Sequence, residues 1–223
     1  VDNREDGYIS QFESDHKSLN SNLMLSFQKN ITEDFSLDAM VGNSVEELDV
    51  RTVYSYGDGF QAPGIYSVGN VLKENQSINE LITRKRLVGV FGELKFGWQN
   101  ALFLTATGRN DWSSTLPKDK RSFFYPSIGM SAVVTDLFKK AGNDITSSNG
   151  LTYLQFRSTW AKAGKDAPIG ALESSLGTNL NGAASSAYTW NGVNVGNPNL
   201  EPEFTNSFEV GVDARFFESR IGL

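Results

Sequence analysis

The chain is 223 residues long, with no cysteine, a single histidine and a formal net charge of −6. Without cysteine, neither a disulfide framework nor a thiolate metal site is available, and the lone His16 cannot build a histidine zinc site. The negative balance and the lack of a basic stripe exclude nucleic-acid binding by phosphate neutralisation.

From the start, Val1-Asp2-Asn3-Arg4-Glu5-Asp6 is too polar to open a signal peptide, so a mature or truncated chain is expected. His16, among charged residues, reads as an exposed surface side chain. No apolar run reaches the roughly 18 residues of a membrane-spanning helix. A membrane is not thereby excluded, because barrel strands show lipid one apolar face and keep the other polar.

The dominant signal is period two. Leu23, Leu25, Phe27 and Ile31 oppose Asn22, Ser26, Gln28 and Asn30, and Phe35, Leu37, Ala39 and Val41 oppose Asp34, Ser36, Asp38 and Gly42. Next, Val88, Val90, Leu94, Phe96 and Trp98 oppose Gly89, Phe91, Glu93 and Lys95, and Leu102, Leu104 and Ala106 oppose Thr105, Thr107 and Arg109. Ile128, Met130, Ala132 and Val134 oppose Ser127, Gly129 and Ser131, and Leu154, Phe156 and Trp160 oppose Gln155, Arg157 and Thr159. Last, Phe204, Phe208, Val210, Val212, Ala214 and Phe216 oppose Thr205, Ser207, Glu209, Asp213 and Arg215. A helix would mix the two sets of each segment, whereas a strand separates them.

Strands are therefore expected near 20–30, 33–45, 86–97, 100–111, 122–135, 151–163 and 204–217, with an eighth beginning at Ile221. Their lengths approach the 9–11 or so residues that a tilted membrane strand needs. Connections at 29–33, 97–100 and 217–220 are tight, whereas those at 46–85, 112–121 and 164–203 are long. This alternation is that of periplasmic turns and extracellular loops. The link 136–150 is mid-length, with a helical turn expected at Leu137-Phe138-Lys139-Lys140 and Gly142 ending it. The fold class is all-β, an antiparallel transmembrane β-barrel segment. Seven strands and a stump do not close a barrel, and an open edge cannot stand in lipid, so residues 1–223 are expected to belong to a larger barrel domain.

Several motifs are specific when taken together: Leu87-Val88-Gly89-Val90-Phe91-Gly92, Gly108-Arg109-Asn110-Asp111-Trp112-Ser113-Ser114-Thr115-Leu116-Pro117 and Ser122-Phe123-Phe124-Tyr125-Pro126-Ser127. They continue with Ala163-Gly164-Lys165-Asp166-Ala167 and with the run from Asn197-Pro198-Asn199-Leu200-Glu201-Pro202 to Gly211. In this order they resemble the SusC-like family of TonB-dependent outer-membrane transporters. The resemblance implies a barrel of about 22 strands that imports nutrients, commonly glycans or peptides, in the outer membrane of a Gram-negative, Bacteroidota-like bacterium. It further implies a SusD-like surface lipoprotein lid and contact with TonB through an N-terminal plug region. These residues match the middle-to-late barrel and include no plug domain.

Arg109, Asn110, Asp111 and Trp112 are read as structural: Arg109 in the lumen beside a carboxylate, Asn110 and Asp111 shaping a turn, Trp112 anchoring the outer strand edge. Substrate contact is sought instead in the loop 164–203, at Tyr188, Trp190, Asn191 and Asn194, because aromatic faces beside amides suit sugar rings. Packing against other loops or the lid lipoprotein is the competing reading of those residues. Tyr54, Tyr56, Phe60 and Tyr66 in 46–85 carry the same ambiguity. The pairs Glu46/Glu47 and Glu201/Glu203 are read as solvated loop charge, and with no hydrolase, zincin or P-loop motif neither an enzyme nor a cofactor is expected. A soluble all-β carbohydrate-binding sandwich and a complete small barrel are the alternatives. A sandwich would bury its apolar face under a second sheet.

Overall fold

A computed structural model describes residues 7–146, 150–172, 176–179, 187–190 and 196–223, with backbone alone at 176–179 and 187–190. In chain order the strands are β1 (Tyr8–Asn30), β2 (Phe35–Asp58), β3 (Gln76–Trp98), β4 (Leu102–Ser113), β5 (Ser122–Val133), β6 (Leu151–Lys165), β7 (Leu176–Asn179), β8 (Ala187–Trp190), β9 (Glu203–Phe216) and β10 (Ile221–Gly222). One helix, α1 (Val134–Lys140), lies between β5 and β6. Eight strands form a sheet in the order β1-β2-β3-β4-β5-β6-β9-β10, and β7 and β8 pair separately. Two compact units are formed, one from Val1–Asn20 with Glu46–Arg86, the other from Ser21–Val45 with Leu87–Leu223.

In the second unit, register fixes which side chains share a face. Trp98 faces Leu102, Leu102 faces Ala132, Ala132 faces Phe156 and Phe156 faces Val212. Directly paired residues point the same way, so the apolar sets of five strands fall on one side. The other side carries Lys95, Thr105, Gly129 and Thr159, then Glu209, again in register. The separation expected from the alternation is borne out in every one of these pairs.

The apolar side is open: Phe208, Val210 and Val212 are 70%, 56% and 57% exposed. No second sheet of comparable size covers it among the described residues, unlike the packed faces of a sandwich. The main buried apolar cluster is small, Leu116, Phe123 and Ala167, with Tyr125, Ala171 and Leu200 packed against it.

Turns follow local chemistry. Thr32 Oγ1 accepts from the amides of Asp34 (3.2 Å) and Phe35 (3.1 Å), closing the β1–β2 turn. Gln99 and Asn100 adopt φ of 51° and 54° while Ala101 N–H donates to Trp98 O at 3.0 Å, a two-residue turn whose twist suits the hairpin. Phe217, Glu218 and Ser219 are all left-handed, with φ of 53°, 57° and 65°. The turn they form is held by Phe217 N–H to Gly150 O at 2.7 Å and Glu218 N–H to Thr152 Oγ1 at 2.9 Å.

Several expected boundaries are corrected. The helix begins at Val134, so β5 stops at Val133 rather than 135; Thr135 is buried and takes a hydrogen bond from the Leu154 amide at 3.5 Å. Gly142, at φ 84°, follows the helix as expected. Beyond it, hydrogen bonds from the Thr146 hydroxyl and amide hold the Asp144 carboxyl below its usual range.

The largest correction concerns the link placed at 46–85. β2 runs on to Asp58 and β3 starts at Gln76, which leaves 59–75 as the connection. Charge on alternate positions had masked these strands. In the first unit Glu47 meets Arg86 (2.9 Å), Asp49 meets Arg84 (3.1 Å) and Arg51 meets Glu80 across β2 and β3, all exposed. Such pairs direct register more than they stabilise. Glu46 and Glu47 are thus strand residues, and Glu47 is ion-paired. β1 likewise starts at Tyr8, and His16 lies exposed within it, 2.8 Å from Ser14 Oγ.

Candidate functional site

The run Arg109–Trp112 lies inside β4, not in a turn; the turn begins only after Ser113. Asn110 and Asp111 therefore do not shape it. Strand alternation sends Arg109 and Asp111 to the polar side and Asn110 and Trp112 to the apolar side. Asn110 Nδ2 donates to Ser122 Oγ at 3.0 Å, and Trp112 is 39% exposed.

On the polar side the carboxylate beside Arg109 is Asp111 itself. Arg109 Nε donates to Asp111 Oδ1 at 2.8 Å, Arg109 Nη2 donates to Ser44 Oγ at 2.8 Å, and the Tyr125 hydroxyl donates to Asp111 Oδ2. Asp111 is only 4% exposed, so its charge has left most of its water behind. Such burial is tolerable because a guanidinium and a phenol replace that water. Arg109 also stacks over the Phe91 ring, 5.4 Å from its centroid.

Two glycines make room. A Cβ on Gly89 would fall 2.3 Å from both Arg109 Nη2 and Asp111 Oδ1, and one on Gly42 would fall 2.4 Å from the Phe91 ring. One part-buried polar network thereby ties β2, β4 and β5, with Phe91 and Gly89 of β3 packed against it. Sequence reasoning placed Arg109 and Asp111 but missed Ser44, Gly89 and Tyr125. Gly89 and Tyr125 do stand in the motifs quoted above; Ser44 carries no signal of its own.

A second network anchors the long connections. Ser113 Oγ donates to Asp166 Oδ2 at 2.6 Å and Thr115 Oγ1 reaches the same oxygen at 3.3 Å, joining the β4–β5 turn to the end of β6. Asn197 N–H donates to Ala171 O at 3.1 Å, and Lys120 Nζ meets Glu201 Oε1 at 2.6 Å. Glu201 is thus paired rather than merely solvated, and Glu203 opens β9. The base of the β6–β9 connection is therefore fixed.

Of the four residues singled out for substrate contact, Asn191 and Asn194 lie outside the described residues. Tyr188 and Trp190 belong to β8, where Tyr188 pairs with Thr178 and Trp190 with Leu176. In the first unit the Tyr56 ring lies 5.7 Å from that of Tyr54 and 6.5 Å from that of Tyr8, centroid to centroid, with the Tyr8 and Tyr54 hydroxyls 3.3 Å apart. Phe60 and Tyr66 meet edge to face at 5.8 Å. No group of three metal-ligating side chains occurs among the described residues.

A two-faced sheet with an open apolar side and a polar side bearing a buried ion pair is the wall of a membrane barrel. A family model described as TonB dependent receptor-like, beta-barrel, matches residues 2–223. The chain belongs to this family. Among curated relatives of this receptor-like barrel, TonB-dependent receptor P26 of Formosa agariphila is 25% identical over 211 residues, covering 92% of this chain and 21% of that protein. TonB-dependent receptor P3 of the same organism is 26% identical over 145 residues, covering 64% of this chain and 14% of that protein. The structure of the RagAB peptide transporter superposes with a TM-score of 0.79 at 19% identity, over 96% of this chain and 23% of that one. The RagAB peptide importer in its closed-closed state gives 0.77 over the same shares. The receptor-like barrel segment thus spans about a fifth of the length of the P26 receptor and of the RagAB chain. Its SusC-like character, read from the motifs, agrees with the family and the fold.

Proposed function

We propose that these residues form part of the barrel wall of a SusC-like, TonB-dependent importer in the outer membrane of a Gram-negative, Bacteroidota-like bacterium. The apolar side faces lipid and the polar side faces the lumen. The observation that carries this reading is the register. Five strands hold their apolar residues on one open side with no exception among the pairs cited above, and a one-residue slip would put Glu209 and Asp213 into hydrocarbon. The long connections 59–75, 114–121 and 166–202 are extracellular, and the tight turns are periplasmic.

The cargo is an oligosaccharide or a peptide, taken up with a SusD-like surface lipoprotein and energised by TonB through a region that lies outside these residues. The RagAB structures are named for peptide transport; the aromatic and amide residues Tyr188, Trp190, Asn191 and Asn194 favour a glycan. The role is transport rather than catalysis. Arg109 and Asp111 hold the wall together, and Trp112 anchors its outer edge.

The test uses the full-length parent in its native host. Uptake of labelled oligosaccharides and of labelled peptides is measured with and without the surface lipoprotein encoded beside it. Uptake of one class that collapses when the lipoprotein is removed supports the proposal. Uptake of neither class by a correctly folded, surface-exposed barrel overturns it.

A further inference from the structure

The geometry points to a carboxylate-binding subsite on the polar face, centred on Arg157 and walled by the hydroxyls of Thr105, Ser131 and Thr159. Among the described residues, Arg157 is the one arginine with neither a hydrogen bond nor an ion pair. Arg51, Arg84, Arg86, Arg109, Arg215 and Arg220 each hold a carboxylate, and Arg121 donates to the Lys118 carbonyl. A guanidinium offers five donors in a planar fork that matches a carboxylate with two parallel hydrogen bonds. In Arg157 that fork stands unused and exposed, on a face where Arg109 and Arg215 each hold an aspartate.

The surroundings are shaped for a small anion. Ser131, Arg157 and Gly211 stand in register across β5, β6 and β9, and Thr105, Gly129 and Thr159 stand in register one step along. Thr105, Ser131, Arg157 and Thr159 line one shallow concavity with Gly129 in its floor. A Cβ at Gly211 would come no closer than 3.7 Å to the Arg157 guanidinium, so that glycine leaves space rather than relieving a clash. Ser131 Oγ is fixed by Gln155 Nε2 at 2.6 Å, and Gln155 Oε1 in turn accepts from the Tyr153 hydroxyl at 2.9 Å.

Two carboxylates lie diagonally on β9. Asp213 is engaged by Arg215 at 3.2 Å. Glu209 sits beside Thr159 and makes no ion pair with Arg157. The subsite therefore takes a carboxylate brought from elsewhere, either on a transported solute or on an acidic side chain from another part of the same barrel protein. This inference rests on reading the polar face as the lumen. That reading is tested on its own by labelling: a charged, water-soluble maleimide should reach Lys95→Cys and not Phe96→Cys in the folded barrel.

The experiment uses the full-length parent, purified as folded barrel, with Arg157→Gln and Arg157→Lys. The probes are triglutamate and oligogalacturonate, with triglutamine and oligogalactose of equal length as neutral controls. If the carboxylate comes with the solute, an acidic probe binds the wild type and loses about tenfold or more in Arg157→Gln. Arg157→Lys then keeps part of the affinity and the neutral probes are unaffected. If it comes from the protein itself, Arg157→Gln lowers the melting temperature with no probe present, Arg157→Lys does so less, and acidic probes bind neither form. Either outcome supports the subsite. Arg157→Gln matching the wild type in both measurements overturns it. So does Glu209→Gln reproducing its effect with no further loss in the double variant, because a simple Arg157–Glu209 pair would then account for everything.

Discussion

Asp111 concentrates the physics of the second unit. A buried carboxylate survives only with its partners in place, and here they come from the same strand and the next one, Arg109 and Tyr125. Tyr125→Phe leaves one carboxylate oxygen without its phenol donor and should cost about 1–2 kcal/mol of barrel stability, measured by heat-modified mobility or denaturant titration. Gly89→Ala should cost about 1–3 kcal/mol through overpacking, because its methyl would overlap the Arg109 and Asp111 side chains at 2.3 Å. Equal stability of wild type and Gly89→Ala would show that the ion pair can shift without loss. Asn110, one residue along, points to the opposite face, so Asn110→Ala should be milder than either.

At the level of elements, the hairpin turns and the faces of the strands can be tested separately. Asn100 holds φ 54° in the β3–β4 turn. Asn100→Gly should be neutral or stabilising, and Asn100→Val should cost about 1–2 kcal/mol, since a β-branched side chain resists the left-handed region. Refolding yields of the two variants compare them directly. Val210, exposed on the apolar side of β9, has Glu209 as its neighbour on the other side. Val210→Arg should cost about 2–4 kcal/mol on refolding into bilayers, while Glu209→Gln should be close to neutral. Similar losses for both would contradict the assignment of faces. Much of this level was legible in the sequence, because alternation in β4, β5, β6 and β9 survives without knowledge of neighbours. Residues 8–20 of β1, 46–58 of β2 and 76–86 of β3 were not. There Glu47, Asp49 and Arg51 replace apolar residues, and they read as loop until Arg86, Arg84 and Glu80 are seen opposite them.

For the whole molecule, the division between scaffold and loop is the consequence to measure. The β6–β9 connection is anchored at its base by Ala167, Ala171 and Leu200 and by the Asp166 and Glu201 contacts. A deletion confined to 173–195, which removes Tyr188, Trp190, Asn191 and Asn194, should therefore spare assembly in the full-length parent. It should weaken substrate or lid-lipoprotein binding. Asp166→Ala leaves the loop tip intact but breaks its tie to Ser113 and Thr115, and should lower the amount of folded barrel at the surface. Surface-exposed protein and uptake are scored separately for each variant. Loss of assembly in the loop deletion, or wild-type uptake from it, would undo this division.

The sequence by itself determined the strand class, the two faces and the family, because period-two alternation and long motifs are local properties that need no partner to be read. It also marked Arg109 and Asp111 as residues that hold structure. Only the tertiary structure decided with whom they do so. Ser44 lies 65 residues from Arg109 along the chain, and Asp166 lies 53 from Ser113. Pairings at such separations are set by strand order and register, and no local pattern encodes them. The same holds for Arg157, which stands without a partner among the described residues, a fact that shows only once the strands on either side of it are in register.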